Sequence, residues 1–388
     1  MRKLKFYIPV AAFIATMASC DKKESTATPT TGMPQELPCA IPSGMKLTNH
    51  NTTGSGVDYI VSCEVEATGG LLDIDPGVTI EFKYETALYI REGATLNARG
   101  TAEMPIIMRG QGAGATWYGL SIWSGNNTSK LANVQIFNAG SGVTFSNVIA
   151  GFTQDIKASL ALWGRADING LKIVGSDGVG IAIDDEAKIS FANLEITSCK
   201  DQPLLTYAGN VNNNFLMNNC VFTNNGSQYI GLFSMSSNAE VDGAVNIPKA
   251  SIPYLATTDL NFNGETVIAA GVILGVNSQG SMRINGTAAE PVVIRGKMQS
   301  RGFWRGIMVN SDNPGNVFNY LNVADGGSSR LGLMPEKANI AVADAREAML
   351  TLNNCTSENV DGGCQVTVSG TDGKLVNNSP QITQICTH

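Results

Sequence analysis

Histidine is almost missing from this chain of 388 residues: His50 and His388 are the only two. There is no Cys-x-x-Cys pair and no Cys/His cluster, so no metal site is expected. Gly-x-Ser-x-Gly is absent as well, and His50 has no evident acid and Ser partner, which argues against a nucleophilic triad. Charged residues make up only 15% and lean acidic, with 26 Lys and Arg against 33 Asp and Glu and a net charge of −7. Phosphate binding needs a basic face, so nucleic acid is not expected as a partner. No apolar run reaches the length of a membrane-spanning helix. The glycine-rich GQGAGAT (110–116) precedes a Trp and a strand pattern and lacks the Lys of a phosphate loop, so it reads as a plain loop and no cofactor is expected.

Glycine is plentiful, at 42 residues, and aromatics are few, at 7%. That mixture is poor in helix formers and rich in turn material. From Val57 the sequence falls into short alternating runs. Examples are Val78, Ile80, Phe82 and Tyr84, then Leu88 and Ile90, then Leu96 and Ala98, punctuated by Pro76-Gly77, Glu92-Gly93 and Arg99-Gly100. No helical pattern fits between the runs, which leaves an antiparallel sandwich or a coiled parallel solenoid. Punctuation that returns at roughly the interval of a solenoid coil, about 20 to 25 residues, favours the solenoid. So do the Asn-rich corners (212–214, 218–219, 224–225) and the Val, Ile and Leu at inward positions, among them Leu350, Leu352, Val366 and Val368.

One stretch recurs. GTAEMPIIMRGQGAGATWYG from Gly100 returns as GTAAEPVVIRGKMQSRGFWRG from Gly286, and LANVQIFNAG (131–140) returns as FNYLNVADGG (318–327). The offset from Thr101 to Thr287 and the offset from Trp117 to Trp304 differ by a single position. A register kept this closely marks two related halves, 39–253 and 254–388. The cassette holds turn glycines, a strand-opening Pro, an apolar triplet and a Trp beside Gly, so activity is expected where the halves differ: in 141–253, and in the longer first-half segment between Gly77 and Gly100.

Residues 1–19 have the charged start and short apolar stretch of an export signal. They end in Met17-Ala18-Ser19-Cys20, which resembles the lipobox of bacterial lipoproteins. That resemblance implies cleavage before Cys20 and lipid on its thiol, so the protein is anchored to the cell envelope and does not span a membrane. Loss of 1–19 removes three positive charges and brings the net charge to about −10. Residues 20–38, rich in Thr, Pro and charge, read as a tether. Seven cysteines then remain in an oxidising setting. Cys39 with Cys63, Cys199 with Cys220 and Cys364 with Cys386 are the candidate disulfides, the last two pairs about one coil apart; buried free thiols are the alternative.

The order DPGVTI, GTA-x-x-P, W-x-G and N-x-x-I-x-x-AG resembles a family of Bacteroidota lipoproteins built as right-handed parallel β-helices. The resemblance covers roughly residues 39–386 and rests on architectural motifs. It implies an all-β, right-handed, single-stranded parallel β-helix on an outer-membrane lipoprotein, and hardly any activity.

The expected function is non-catalytic binding of a polysaccharide or surface protein at the cell envelope, with a pectin-lyase-like lyase or hydrolase as the alternative. No catalytic residue is assigned. Asp184-Asp185 is the only adjacent Asp pair, yet the His motif and Arg-x-Lys that accompany such a pair in polygalacturonases are missing, so Asp184-Asp185-Glu186 reads as a solvated corner. Asp73, Asp75 and Glu81 are closely spaced acids that alternation explains without metal. Trp117 and Trp304 recur beside Gly and read as structural. Trp123 and Trp163 are the candidates for stacking on sugar rings.

Overall fold

Short alternating runs cannot bury both faces of a strand. In this protein they solve the problem by stacking in parallel, so that every second residue points into a shared interior. The computed structural model describes residues 33–50, 56–212, 214–268, 275–276, 282–342, 347–370 and 373–388. Cys20, the export signal and most of the expected tether lie outside them. The chain is all-β with long parallel sheets, an arrangement compatible with a parallel β-solenoid. Two 3-10 turns, Ala208–Asn210 and Met217–Asn219, are the helical elements among the described residues.

Three inward lines show how the interior is built. Leu47, Ile74, Ala98, Leu131, Ile168 and Phe191 follow one another in register. A second line runs Tyr59, Ile80, Met108, Ile136, Ile173, Ile196, Phe222. The third runs Leu88, Leu120, Leu160, Ile181, Leu204, Ile230, Tyr254. All of these are buried in one core cluster. Val309, Val342 and Val368 continue the pattern near the C-terminus, beside Phe318 and Leu352. Leu350, Leu352, Val366 and Val368 are all buried, as their alternation requires. Tyr84 is exposed, because its strand, Thr79–Phe82, ends before it.

The cassette repeats in space as well as in sequence. The Trp117 indole N–H donates to the Phe137 carbonyl at 2.9 Å, and that of Trp304 to the Ala324 carbonyl at 2.7 Å, at the same spacing along the chain. Thr101 and Thr287 form the same turn with Met104 and Glu290. Gly119 and Gly306 take φ of 129° and 119°, and a Cβ on either would meet two carbonyl oxygens within 2.8 Å: those of Ala158 and Ser159, or of Ala338 and Asn339. Only glycine lets the backbone approach that closely.

Coil length varies more than the regular punctuation suggests. Lys172 pairs with Glu195, but Val134 pairs with Leu171, a much longer way round. The excess is a hairpin of strands Val143–Ile149 and Phe152–Leu162, the one antiparallel pair among the described residues. At the N-terminal end the ladder starts inside the expected tether. Gln35–Glu36 pairs with Tyr59–Ile60, and Leu37 is buried.

Disulfides join Cys39 to Cys63 and Cys364 to Cys386. The third candidate pair is corrected: Cys199 and Cys220 are buried free thiols, as is Cys355. The coil at that point is longer than the spacing of the two cysteines, since Glu195 lies opposite Val221 and Thr197 opposite Thr223. The Cys199 N–H therefore meets the Asn225 side-chain oxygen at 3.0 Å, while Cys220 falls back towards Leu194, out of register with Cys199. Burial pushes the Cys199 thiol up to about 12 and raises that of Cys220, which keeps both in the unreactive thiol form. Asn side chains do bridge coils, through Asn225 to the Ile196 carbonyl and through the series Asn319, Asn353, Asn378.

Candidate functional site

Where the third inward line leaves the interior, the next residue on each coil lies beyond the core. Ile90, Ile122, Leu162, Ile183 and Thr206 are buried, and Arg91, Trp123, Trp163, Asp184 and Tyr207 follow them. The ladder continues through this outer row: the N–H groups of Trp123, Trp163 and Asp184 donate to the carbonyls of Ile90, Ile122 and Leu162 at 2.8, 2.9 and 2.9 Å. Trp123 and Trp163, far apart in sequence, thus sit on neighbouring coils. The Asp pair lies one coil further on.

Arg91, Trp123 and Trp163 form a continuous set of contacts. The Arg91 guanidinium lies 5.0 Å from the Trp123 ring centre and 4.6 Å from that of Tyr89, and its Nε is 3.2 Å from Glu66 Oε1. Trp123 and Trp163 are neighbours with their ring planes at 81°. Trp163 leans on Phe145 of the hairpin at 5.1 Å. Trp123 is 37% exposed, so the row offers solvent a large aromatic side chain with a cation beside it.

The Asp184 end departs from the expected solvated corner. Asp184 is 5% exposed, Asp185 is half-buried and Glu186 is exposed. The strand Val179–Ile183 has ended before them, so the rule that neighbours point to opposite faces does not apply. Asp184 instead caps its own turn, accepting the Glu186 N–H at 3.0 Å, while its carbonyl accepts the side-chain amide of Asn210. Burial, then the hydrogen bond and charge of Asp185, push the Asp184 carboxyl up to about 7, against the Glu186 N–H and the Trp163 side chain, which favour the ionised form. Tyr207 follows on the next coil. Its hydroxyl accepts the Asp242 N–H at 3.1 Å, and burial, with the Asp242, Asp185 and Glu240 charges, raises its phenol.

A raised folded-state value means that Asp184 binds its proton more tightly in the folded chain than in the unfolded one. Its contribution to stability is full below the ordinary carboxyl range, falls as pH rises and is gone above about 7. Asp184→Asn should therefore flatten the decline in urea-unfolding free energy between about pH 4 and pH 8, by roughly 1–3 kcal/mol. An unchanged pH profile in the variant would show that Asp184 titrates normally.

The hairpin closes one flank of this face. Phe145, Ile149 and Ile156 pack over Ala161, Ala182, Leu205 and Phe233, and the tip is tied down by N–H groups of Ala150 and Gly151 on the Ser234 and Met235 carbonyls, at 2.9 and 3.0 Å. In the second cassette a shorter loop with Leu331 and Met334 covers Met308 and Ala341 at the matching place, and Asn310 stands where Trp123 would be. Among the described residues the aromatic row thus accompanies the first cassette. Sequence reasoning missed the hairpin, although two alternating runs around Ala150-Gly151 are the ordinary signal for one. The other acids are absorbed by ion pairs: Asp73 and Asp75 face Lys46, and Glu81 pairs with Arg109. Among the described residues, no group of three His, Cys, Asp or Glu could hold a metal. No protein-family model, curated protein or solved structure matches the chain.

Proposed function

We propose that this chain is a right-handed parallel β-helix of two related halves, held to the outer membrane by lipid on Cys20, and that it binds a glycan along the Arg91–Tyr207 row without transforming it. The fold and address follow the Bacteroidota lipoprotein family that its motifs resemble. The observation that carries the binding role is the placing of Arg91, Trp123 and Trp163 side by side on consecutive coils, with Trp123 open to solvent. A sugar ring lays its apolar face on such a side chain, and the neighbouring charged groups bond its hydroxyls.

The test is a panel of neutral and acidic polysaccharides, with binding measured for the wild type and Trp123→Ala. About tenfold or greater weakening in the variant is expected; equal binding by both would remove the row from consideration. Release of reducing ends or unsaturated products by the wild type would favour the lyase or hydrolase reading, in which the raised Asp184 carboxyl serves as proton donor. For the anchor, Cys20→Ala is expected to move the protein from the membrane fraction to the soluble one. Retention at the membrane would refute the lipid reading.

A further inference from the structure

The two cassettes share a frame, but the loop before the repeated Trp differs in chemistry. Between Gly110 and Trp117 it reads QGAGAT, with no charge and no aromatic. Between Gly296 and Trp304 it reads KMQSRGF, and Arg305 follows. The structure sets this second loop against two adjoining concavities of ≈ 750 and ≈ 490 Å³ that share Leu255 and Lys297. Lys297 stands at the seam, with its ammonium 4.6 Å from the Tyr229 ring centre. Among the described residues it makes no ion pair.

The neighbouring cations are engaged to different degrees. Arg295 is bound to buried Asp325, and Arg301 donates to the Val360 carbonyl at 2.8 Å. Arg305 is held more loosely, by a 3.8 Å approach to Asp259 and a 3.5 Å contact with the Arg330 carbonyl. Arg305 and Asp259 are both more than half exposed, and such a pair is worth little. Lys297 and Arg305 are therefore the cations able to meet a ligand, with Asp259, itself exposed, lining the same concavity. Phe303, 44% exposed, supplies a ring surface, and Asn238, Thr258 and Ser328 supply amide and hydroxyl groups. The strand Ile307–Val309, which passes beneath, is paired with Ile340–Val342 on one edge and, at Val309, with Val276 on the other.

We infer that this double concavity is a second binding site, separate from the Trp123 row, for an acidic sugar chain. Phe303 and Tyr229 meet the apolar ring faces, and Lys297 and Arg305 meet the carboxylate or sulfate. Carboxylated and sulfated sugars share this chemistry, and the titration separates them.

The folded full-length protein is titrated calorimetrically with a uronate tetrasaccharide, a sulfated tetrasaccharide, an uncharged β-glucan tetrasaccharide and a polyglutamate peptide. At least one acidic sugar should bind, more weakly as salt rises, and the peptide should not, while any binding of the neutral sugar should be unchanged by Lys297→Ala. Lys297→Ala should weaken binding about tenfold, as loss of one charge-assisted contact does, and Lys297→Arg should keep it. Phe303→Ala gives a second variant at an exposed position, and Trp123→Ala should leave this binding unchanged. The inference is overturned if no acidic sugar binds, if Lys297→Ala and Phe303→Ala both bind as the wild type does, or if polyglutamate binds as well as the sugars. Because the Trp123 row is read out by Trp123→Ala, failure of one site is distinguishable from failure of the other.

Discussion

Trp117→Ala is expected to lower folding stability by about 3–5 kcal/mol, the range for deleting a fully buried large aromatic. Trp117 has no exposed surface, lies 3.8 Å from Phe82 ring to ring at 13°, and donates its indole N–H to the Phe137 carbonyl. Removal leaves a cavity between coils and a buried carbonyl without its donor, and these losses add. Trp304 makes the same hydrogen bond but is only half-buried, so Trp304→Ala should cost clearly less. Urea unfolding of the two variants checks both the size and the order. A loss below about 1 kcal/mol for Trp117→Ala, or the reverse order, would contradict the structural role given to this residue.

Arg295→Ala is the second large effect, at about 3 kcal/mol, the lower end of what breaking a buried ion pair costs. Asp325 has no exposed surface; its Oδ2 accepts from Arg295 Nε and Nη2, both at 3.0 Å, and its Oδ1 from the Asn359 amide at 2.5 Å. Removing the guanidinium strands a carboxylate in the interior, while Arg295, 39% exposed, admits water and moderates the penalty. The first cassette shows the remedy. Asn138 occupies the matching position with a similar left-handed φ, 53° against 69°, and its cassette Arg, Arg109, turns to Glu81 on the preceding coil instead. The double variant Arg295→Met with Asp325→Asn should therefore recover most of the stability lost by Arg295→Ala. Recovery of less than half would mean that the loss comes from packing of the arginine stem and not from the stranded charge.

These positions also show which parts of the structure could be read in advance. Strand alternation is a local property, so inward residues such as Ile80, Phe82, Leu350 and Leu352 declare themselves within a short stretch of sequence. The cassette declares itself because two copies must satisfy the same close approaches at Gly119 and Gly306. Register between coils is different in kind, since it depends on how much chain each corner consumes. Cys199 and Cys220 are spaced like one coil, but their own coil is longer than that spacing, and the expectation of a disulfide fails for that reason alone. The aromatic row was hidden in the same way: the hairpin inserts itself between Trp123 and Trp163, so the residues that touch lie too far apart to suggest a period. Asp184 misled for a further reason. An acidic triplet at a corner resembles hydrated surface, and only the fold reveals that its first member is enclosed by Trp163 and the turn it caps.

The hairpin has a mechanical consequence. In a stacked architecture each coil touches only its neighbours, so unfolding can begin at either end and propagate one coil at a time. Here the segment leaves the stack after Ser141, crosses the outer surface over Ala161, Ala182, Leu205 and Phe233, and is fastened at Ser234 and Met235. It acts as a strut, so the coils beneath it cannot separate individually without first releasing it. With a covalent staple near each end, Cys39–Cys63 and Cys364–Cys386, the strut divides the chain into guarded ends and a middle that holds or lets go as one cooperative block.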